Sequence, residues 1–429
     1  METSQLYSVY LAHPTVQTDT RKLQPGELFF ALSGPNFNGN TFADDALAKG
    51  AAYAVIDDGA YKKDERYIVV DDTLAALQAL ARHHREQFNI PFIAITGSNG
   101  KTTTKELIAA VLRKKYNTSA TEGNLNNHIG VPLTLLKIKP GTEIAIIEMG
   151  ANHQKEIEGY CKVALPTYGL ITNCGKAHIE GFGGEEGVRK GKGELYDFLA
   201  TANGTVFLNA DLDYLHTMAA RVQNKITYGT SNATYTASMK MSDVFVVADY
   251  VENGVSHHIQ SQLVGSYNFP NITAAICLGR HFGVTIEQIQ EAIAGYSPDN
   301  SRSQWLTKGT NKVIMDAYNA NPGSMKAAIT NFAEAPLNNK MLWLGGMKEM
   351  GDAELFEHTE LVKLIENHNW KQVILSGKEF APVKHAYLWF EDSVMAAEYI
   401  KNNPPHDSAI LIKGSRGSKM ERLLEALPG

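Results

Sequence analysis

The run Gly97-Ser98-Asn99-Gly100-Lys101-Thr102-Thr103 sets two glycines, a cation and several hydroxyls side by side. Glycines let backbone N–H groups and a helix N-terminus converge on phosphate oxygens, while the lysine adds a point charge and the threonine hydroxyl can ligate Mg²⁺. The chemistry implied is the binding and use of a nucleoside triphosphate. The spacing is G-x-x-G-K-T and not the commoner G-x-x-x-x-G-K-[ST], because position 95 is isoleucine. Such a loop needs a strand before it and a helix after it. The apolar run Phe92 to Ile95 behind Pro91 supplies the strand, and Leu107, Ile108, Val111 and Leu112 give a helical pattern from Lys105 onward.

Two further side chains are expected at the ends of parallel strands, where open α/β sheets place their ligands. Glu143 to Ile147 predicts a strand ending at Glu148, and Tyr168 to Thr172 one that leads into a glycine-rich loop holding His178. Glu148 reads either as a metal partner for the phosphate loop or as a solvated strand-end acid. With Thr102 and His178 it forms a constellation that could meet at one metal-phosphate centre. Between the phosphate-loop helix and the first of these strands lies Glu122-Gly-Asn124-Leu-Asn126-Asn127-His128-Ile-Gly130, whose crowded amides predict either a turn network or a loop that reads a ligand. The segment Glu185 to Tyr196 predicts a polar helix start with a charged, solvated face, and spacing alone promotes none of its lysines. Asn268 and Asn271 lie three apart near a helix start, one expected to cap and the other to face outward, with ligand contact as the alternative.

The fold class expected is α/β with three domains. Residues 1–88 form a small N-terminal α/β substrate domain, with strands at Leu28 to Leu32 and Ala52 to Ile56 and helices at Thr41 to Lys49 and Thr73 to Gln87. Its Thr20 and Arg21 suit a polar or phosphorylated ligand, or plain turn chemistry with a solvated arginine. Residues 89–298 form the central P-loop ATPase domain on a parallel sheet, with β-like runs also at Thr205 to Leu208 and Phe245 to Val251. After a linker at Tyr296 to Asn300, residues 299–429 form a Rossmann-like domain. Its strands are expected at Val313 to Asp316, Met341 to Leu344, Gln372 to Leu375 and Ala409 to Ile412, and its helices at Met325 to Phe332, Ala353 to Asn367, Val394 to Asn402 and Lys419 to Leu427. Lys413-Gly-Ser415-Arg416-Gly again puts cations in a glycine loop at a strand end.

A length of 429 residues with 44% hydrophobic side chains supplies several cores. A net charge of −6 argues against a general nucleic-acid or membrane-surface role. Cys161, Cys174 and Cys277 are odd in number and widely spaced, which fits a reducing cytoplasm. The N-terminus has neither a basic nor an apolar leader segment, and no apolar run approaches the roughly 18 residues of a membrane span.

Taken in order, the phosphate loop through Glu106, the Asn124 to Pro132 loop, Ile-Glu148-Met-Gly-Ala-Asn, Ala-His178-Ile-Glu-Gly-Phe-Gly, Asp316 to Met325 and Lys413-Gly-Ser-Arg416 resemble the Mur ligases, ATP-dependent amide ligases of peptidoglycan precursor synthesis. The resemblance runs nearly end to end and is strongest to the branch adding D-alanyl-D-alanine (D-Ala-D-Ala) to UDP-N-acetylmuramoyl-tripeptide (UDP-MurNAc-tripeptide). It implies that ATP phosphorylates the tripeptide carboxylate and that the dipeptide amine then displaces phosphate. It further implies Mg²⁺, in two sites, on Thr102 and Glu148 and on Glu148 and His178, with a CO₂-derived carbamate on Lys192 because Arg189-x-x-Lys192-x-x-x-Tyr196 fits the family pattern. Asn268 and Asn271 would contact adenine, and Arg302, Asp316 and Asn319 would reach ATP from the third domain. Thr20 and Arg21 would hold UDP, while Asn124, Asn126, Asn127, Lys413, Ser415 and Arg416 would serve the substrates of a cytoplasmic monomer. Tyr267 stands where the family often has histidine, and Gly346 where Gly-Asp-Met is usual. The Asp-Asn-Pro-Arg signature of the diaminopimelate-adding relative is only approximated by Asp299-Asn300-Ser301-Arg302, which favours the dipeptide adder. The competing readings are another ligase of this superfamily, such as the tripeptide-forming enzyme or folylpolyglutamate synthase, and a nucleotide switch without ligase chemistry.

Overall fold

The computed structural model describes residues 1–428, and these form three sheets. The first contains β1 (Val16–Gln17), β2 (Leu28–Phe30), β3 (Tyr53–Ile56) and β4 (Tyr67–Val69), all parallel and in sequence order. The central sheet contains β5 (Phe92–Thr96), β6 (Thr118–Ala120), β7 (Ile144–Glu148), β8 (Tyr168–Ile171), β9 (Thr205–Asn209), β10 (Asn224–Gly229), β11 (Tyr235–Ser242), β12 (Phe245–Glu252) and β13 (Val255–Val264), in the order 13-12-11-10-9-8-5-7-6. The third contains β14 (Gln304–Lys308), β15 (Asn311–Asp316), β16 (Lys340–Gly345), β17 (Gln372–Ser376), β18 (Leu388–Phe390) and β19 (Ala409–Lys413), in the order 14-15-19-16-17-18.

The expected parallel central sheet needs correction, because β11, β12 and β13 pair antiparallel at one end. β11 and β13 carry polar residues on their exposed positions, so they lack the apolar runs that marked the buried strands β5, β7 and β8. A second correction concerns the phosphate-loop helix, which spans Lys101–Leu112 and starts four residues before its apolar pattern. Its first turn is polar because it faces the site, not the core. Likewise the expected Thr41 to Lys49 helix is a 3-10 turn at Gly39–Phe42 followed by a helix at Ala43–Ala48.

The first domain shares a hydrophobic core with the central one. Leu77, Leu80 and Ala81 of the helix Thr73–Arg85 pack in one cluster with Phe92, Val131 and Tyr160. Arg85 pins this joint by donating to the carbonyls of Ala164, Leu165 and Phe88 at 2.8–2.9 Å, its guanidinium lying 3.6 Å from the Phe92 ring centroid. The third domain is attached differently. Val244 and Val264 join its core, and Trp305 packs edge-on against Phe245, while polar contacts span the rest of the boundary.

Candidate active site

In the central sheet β5 lies between β7 and β8, all parallel, so the three strand ends share one edge on either side of the topological switch. That edge carries the phosphate loop, then Glu148 as the last residue of β7, then the loop bearing His178. Gly97 must be glycine, since its φ is 145° and an added Cβ would sit 2.0 Å from Thr172 Oγ1. The β8 loop braces the phosphate loop from beneath. Ser98 N–H donates to Asn173 O at 2.8 Å, and Thr172 Oγ1 donates to Asn99 O at 2.6 Å.

Glu148 is buried, and its Oε1 accepts from Thr102 Oγ1 at 3.1 Å and from Asn126 Nδ2 at 2.7 Å. Its Oε2 has no hydrogen-bond partner among the described residues, with Lys105 Nζ at 4.0 Å. A buried carboxylate oxygen left so is costly unless a positive charge meets it. Among the described residues no three His, Cys, Asp or Glu side chains gather as a metal cage. Magnesium does not require one, because it takes one or two protein oxygens and completes its shell with phosphate and water. The Thr102 hydroxyl and Glu148 Oε2 fit that demand.

Two amines of this region, those of Lys101 and Lys192, have lowered pKa values. Lys101 Nζ donates to Gly97 O at 2.7 Å, and burial pulls its pKa down to about 8 against the opposing pull of Glu148. Lys192, 2% exposed on the helix Glu185–Thr201, donates to Ala151 O at 3.0 Å. Burial, and then the charge of Lys101, lowers its pKa to about 7. The expectation of a solvated charged face therefore holds for exposed Lys190 and fails for Lys192. Glu194 seats this helix, accepting from the backbone N–H groups of Lys155 at 2.6 Å and Glu158 at 3.0 Å. His178 is half-buried and donates through Nδ1–H to Glu349 Oε2 of the third domain. Burial holds its pKa below the ordinary histidine value, and the charges of Lys101 and Lys192 push the same way.

Neither Asn268 nor Asn271 faces outward, and neither caps by side chain. Asn268 Nδ2 donates to Val264 O, Asn271 Nδ2 donates to Asn268 Oδ1, and Thr104 Oγ1 donates to Asn271 Oδ1 at 3.0 Å, so the pair links the phosphate-loop helix to the helix Phe269–His281. From the amide-rich loop, Asn126 reaches Glu148, whereas Asn127 Oδ1 accepts from Ile129 and Gly130 N–H as turn chemistry would have it. Asn124 joins the same turn through its carbonyl.

The third sheet brings Asp316 and Lys413 together at paired strand ends, 2.6 Å apart. Arg302 stacks on Tyr318 with 3.7 Å between guanidinium carbon and ring centroid, and Arg416 lies over the same ring at 5.5 Å. Asn319 Oδ1 accepts from Ala320 N–H, and Ser415 Oγ accepts from Lys348 N–H. Asn321 Nδ2 donates to Asn99 Oδ1 at 2.7 Å, tying this domain to the phosphate loop. A cleft of about 610 Å³ runs between the two domains, lined by Ser98 to Thr103, Asn126, Asn127, Glu148, His178, Asn268, Asn271, Arg302, Asp316, Asn319 and Lys413. Gly97, Asn124, Lys192, Ser415 and Arg416 stand outside its wall, and Thr20 and Arg21 belong to the first sheet's loops, with Arg21 paired to Asp19 in solvent. Where the family often has histidine, Tyr267 shares a hydrogen bond with Ser303 at 2.9 Å. At Gly346 an added Cβ would sit 2.3 Å from Glu379 Oε2, so a carboxylate from the β17 loop fills that space and pairs with Lys348.

Residues to which sequence reasoning gave no role of their own include Tyr318, Asn321, His128, Glu156 and Tyr160. The last three also line a second cavity of about 320 Å³ that leads from the main cleft toward Gln78 of the first domain. Asn321 had a visible signal in Asn319-Ala-Asn321-Pro322, whereas Glu156 and Tyr160 sit on an ordinary amphipathic helix.

Family models match three stretches of the chain. "Mur ligase family, catalytic domain" covers residues 15–85, "Mur ligase middle domain" 95–279, and "Mur ligase, glutamate ligase domain" 301–416. The UDP-N-acetylmuramoyl-tripeptide–D-alanyl-D-alanine ligase of Bacillus subtilis is 35% identical over 426 residues, covering 96% of this chain and 92% of the relative. The chain belongs to the Mur ligase family. The Escherichia coli ligase of the same name is also 35% identical, over 96% of this Mur ligase and 93% of its own length. Among solved structures, MurF from Acinetobacter baumannii superposes with a TM-score of 0.87 at 28% identity, covering 99% of this chain and 98% of that one. MurF ligase from Thermotoga maritima in complex with ADP gives 0.86 at 26% identity, with 97% of each chain covered. These three-domain relatives agree with the fold class read from the sequence.

Proposed function

We propose that this Mur ligase is the ATP-dependent enzyme that joins D-Ala-D-Ala to UDP-MurNAc-tripeptide in peptidoglycan precursor synthesis. The observation that carries the reading is the convergence on one cleft of the phosphate loop, His178 and buried Glu148, whose Oε2 has no hydrogen-bond partner among the described residues. That cleft faces the third domain, and the chain matches ligases of this name over nearly its whole length.

Phosphoryl transfer asks mainly for positioning and charge neutralisation. Loop amides and Lys101 would orient the γ-phosphoryl group of ATP, and Asn268, Asn271 and Arg302 would hold the nucleoside side from the cleft wall. Thr102 and Glu148 would hold Mg²⁺, with His178 and Lys192 serving a second ion. When bound, the metal supplies charge neutralisation and polarises the phosphoryl and carboxylate oxygens. The tripeptide carboxylate attacks the γ-phosphorus and ADP leaves, giving an acyl phosphate. The dipeptide amine, brought by the third domain beside Lys413 and Asp316, attacks the acyl carbon, loses a proton and expels phosphate. Lys192 suits carbamylation because an amine must be neutral to add CO₂, and its pKa of about 7 allows that near neutrality. The carbamate would then present an anion where an ammonium would repel a dication.

The test is phosphate release from ATP with each acceptor withheld in turn. Release only when UDP-MurNAc-tripeptide and D-Ala-D-Ala are both present is expected. Equal release with neither would sink the ligase reading in favour of a nucleotide switch, and release with glutamate or diaminopimelate in place of the dipeptide would move the chain to another branch.

A further inference from the structure

The loop that follows β16 crosses the domain boundary and meets the β8 loop. There Glu349 Oε2 accepts a hydrogen bond from His178 Nδ1–H at 2.5 Å, and Lys176 pairs with Glu357 at 3.2 Å alongside. Both His178 and Glu349 hold left-handed backbone, with φ of 53° and 61°. Non-glycine residues enter that region at a cost, and such residues concentrate where a side chain must be aimed. The Glu349 side chain is 63% exposed, so the pair contributes little to stability and its value lies in orientation.

We propose that Glu349 is a positioning residue that fixes the ring and tautomer of His178, and that it does so only when the third domain is docked. A neutral imidazole that donates through Nδ1 keeps its lone pair on Nε2. Carboxylates behind a working histidine commonly impose that arrangement. Here the carboxylate comes from the domain expected to deliver the dipeptide amine, while the histidine belongs to the domain expected to bind ATP. An ordered His178 is thereby made conditional on docking, so the centre is incomplete while the two domains stand apart. This inference rests on the reading of His178 as part of the reaction centre.

The first measurement is the imidazole ¹⁵N spectrum of the full-length protein without nucleotide or metal, with the His178 signals assigned by their loss in His178→Gln. The wild type is expected to show the Nδ1–H tautomer. Glu349→Ala should move His178 to a mixture or to the Nε2–H form, and Glu349→Gln, whose amide oxygen still accepts, should restore the wild-type pattern. Kinetically, Glu349→Ala should lower kcat by about 10–100-fold. The KM values for ATP and the UDP substrate should stay within about twofold. The double variant His178→Gln/Glu349→Ala should be no slower than His178→Gln alone. An unchanged tautomer in Glu349→Ala, or losses that multiply in the double variant, would overturn the proposal. Because the spectrum is read without turnover, an absence of ligase activity would defeat the functional reading and leave this test legible.

Discussion

Arg21 beside the first sheet and Lys192 behind the central one are both cations next to candidate ligand loops, but the Arg21 side chain is 86% exposed and Lys192 is 2% exposed. Arg21 is held by a bidentate pair with Asp19 and stays charged in solvent. Lys192 has lost its water, has a single carbonyl partner at Ala151, and can change charge near neutrality. A solvated cation adds affinity for an anionic substrate. A desolvated amine beside a second cation can be converted chemically, so the two regions should answer mutation in different kinetic constants.

The sharpest way to break this contrast is Lys192→Ala, expected to lower kcat by about 10²–10³-fold, with partial rescue by small carboxylates or bicarbonate, read by phosphate release. Wild-type turnover in that variant would put Lys192 in the same class as Arg21. Next is the joint between the two regions. Arg85→Met leaves three backbone carbonyls without their donor and should lower the unfolding free energy by about 3 kcal/mol in denaturant titration. A change within error would mean that the first and central domains are not coupled through that side chain. Third, incorporation of ¹³CO₂ at Lys192 should rise with pH, since the amine is protonated below about 7 and neutral above it. At fixed dissolved CO₂ the initial rate of incorporation, which follows the neutral amine, should gain about tenfold from pH 6 to pH 8, and a flat profile would remove the pKa argument. Fourth, because the cleft is lined by residues of both the second and third domains, small-angle scattering should give a smaller radius with nucleotide than without, and equal radii would count against closure. The smallest effect belongs to Arg21→Ala, which should raise KM for the UDP substrate by less than about fivefold with kcat unchanged.

How far these features could be read in advance followed burial and chain distance. β5, β7 and β8 are continuous apolar runs because both faces are covered, and their parallel order turns strand ends into a site, so Lys101, Glu148 and His178 were legible together. The orientation of Asn268 and Asn271 was not, because their partners Val264 and Thr104 come from other elements. Lys192 was legible only through family resemblance. In a helix rich in charge and glycine nothing local distinguishes it from Lys190, and its burial is decided by Phe182 and Ala151 from separate segments. Glu349 and Asn321 act across a domain boundary, which no local pattern encodes.

The crossover between the second and third domains is not a slack tether. Glu106 projects from the helix Lys101–Leu112 and accepts from Tyr296 Oη at 2.5 Å and from Asn300 Nδ2 at 3.1 Å, gripping that crossover at both ends. The helix that starts at the glycine loop thus also clamps the link to the third domain, so a tilt of that helix would reach the link without passing through the cleft.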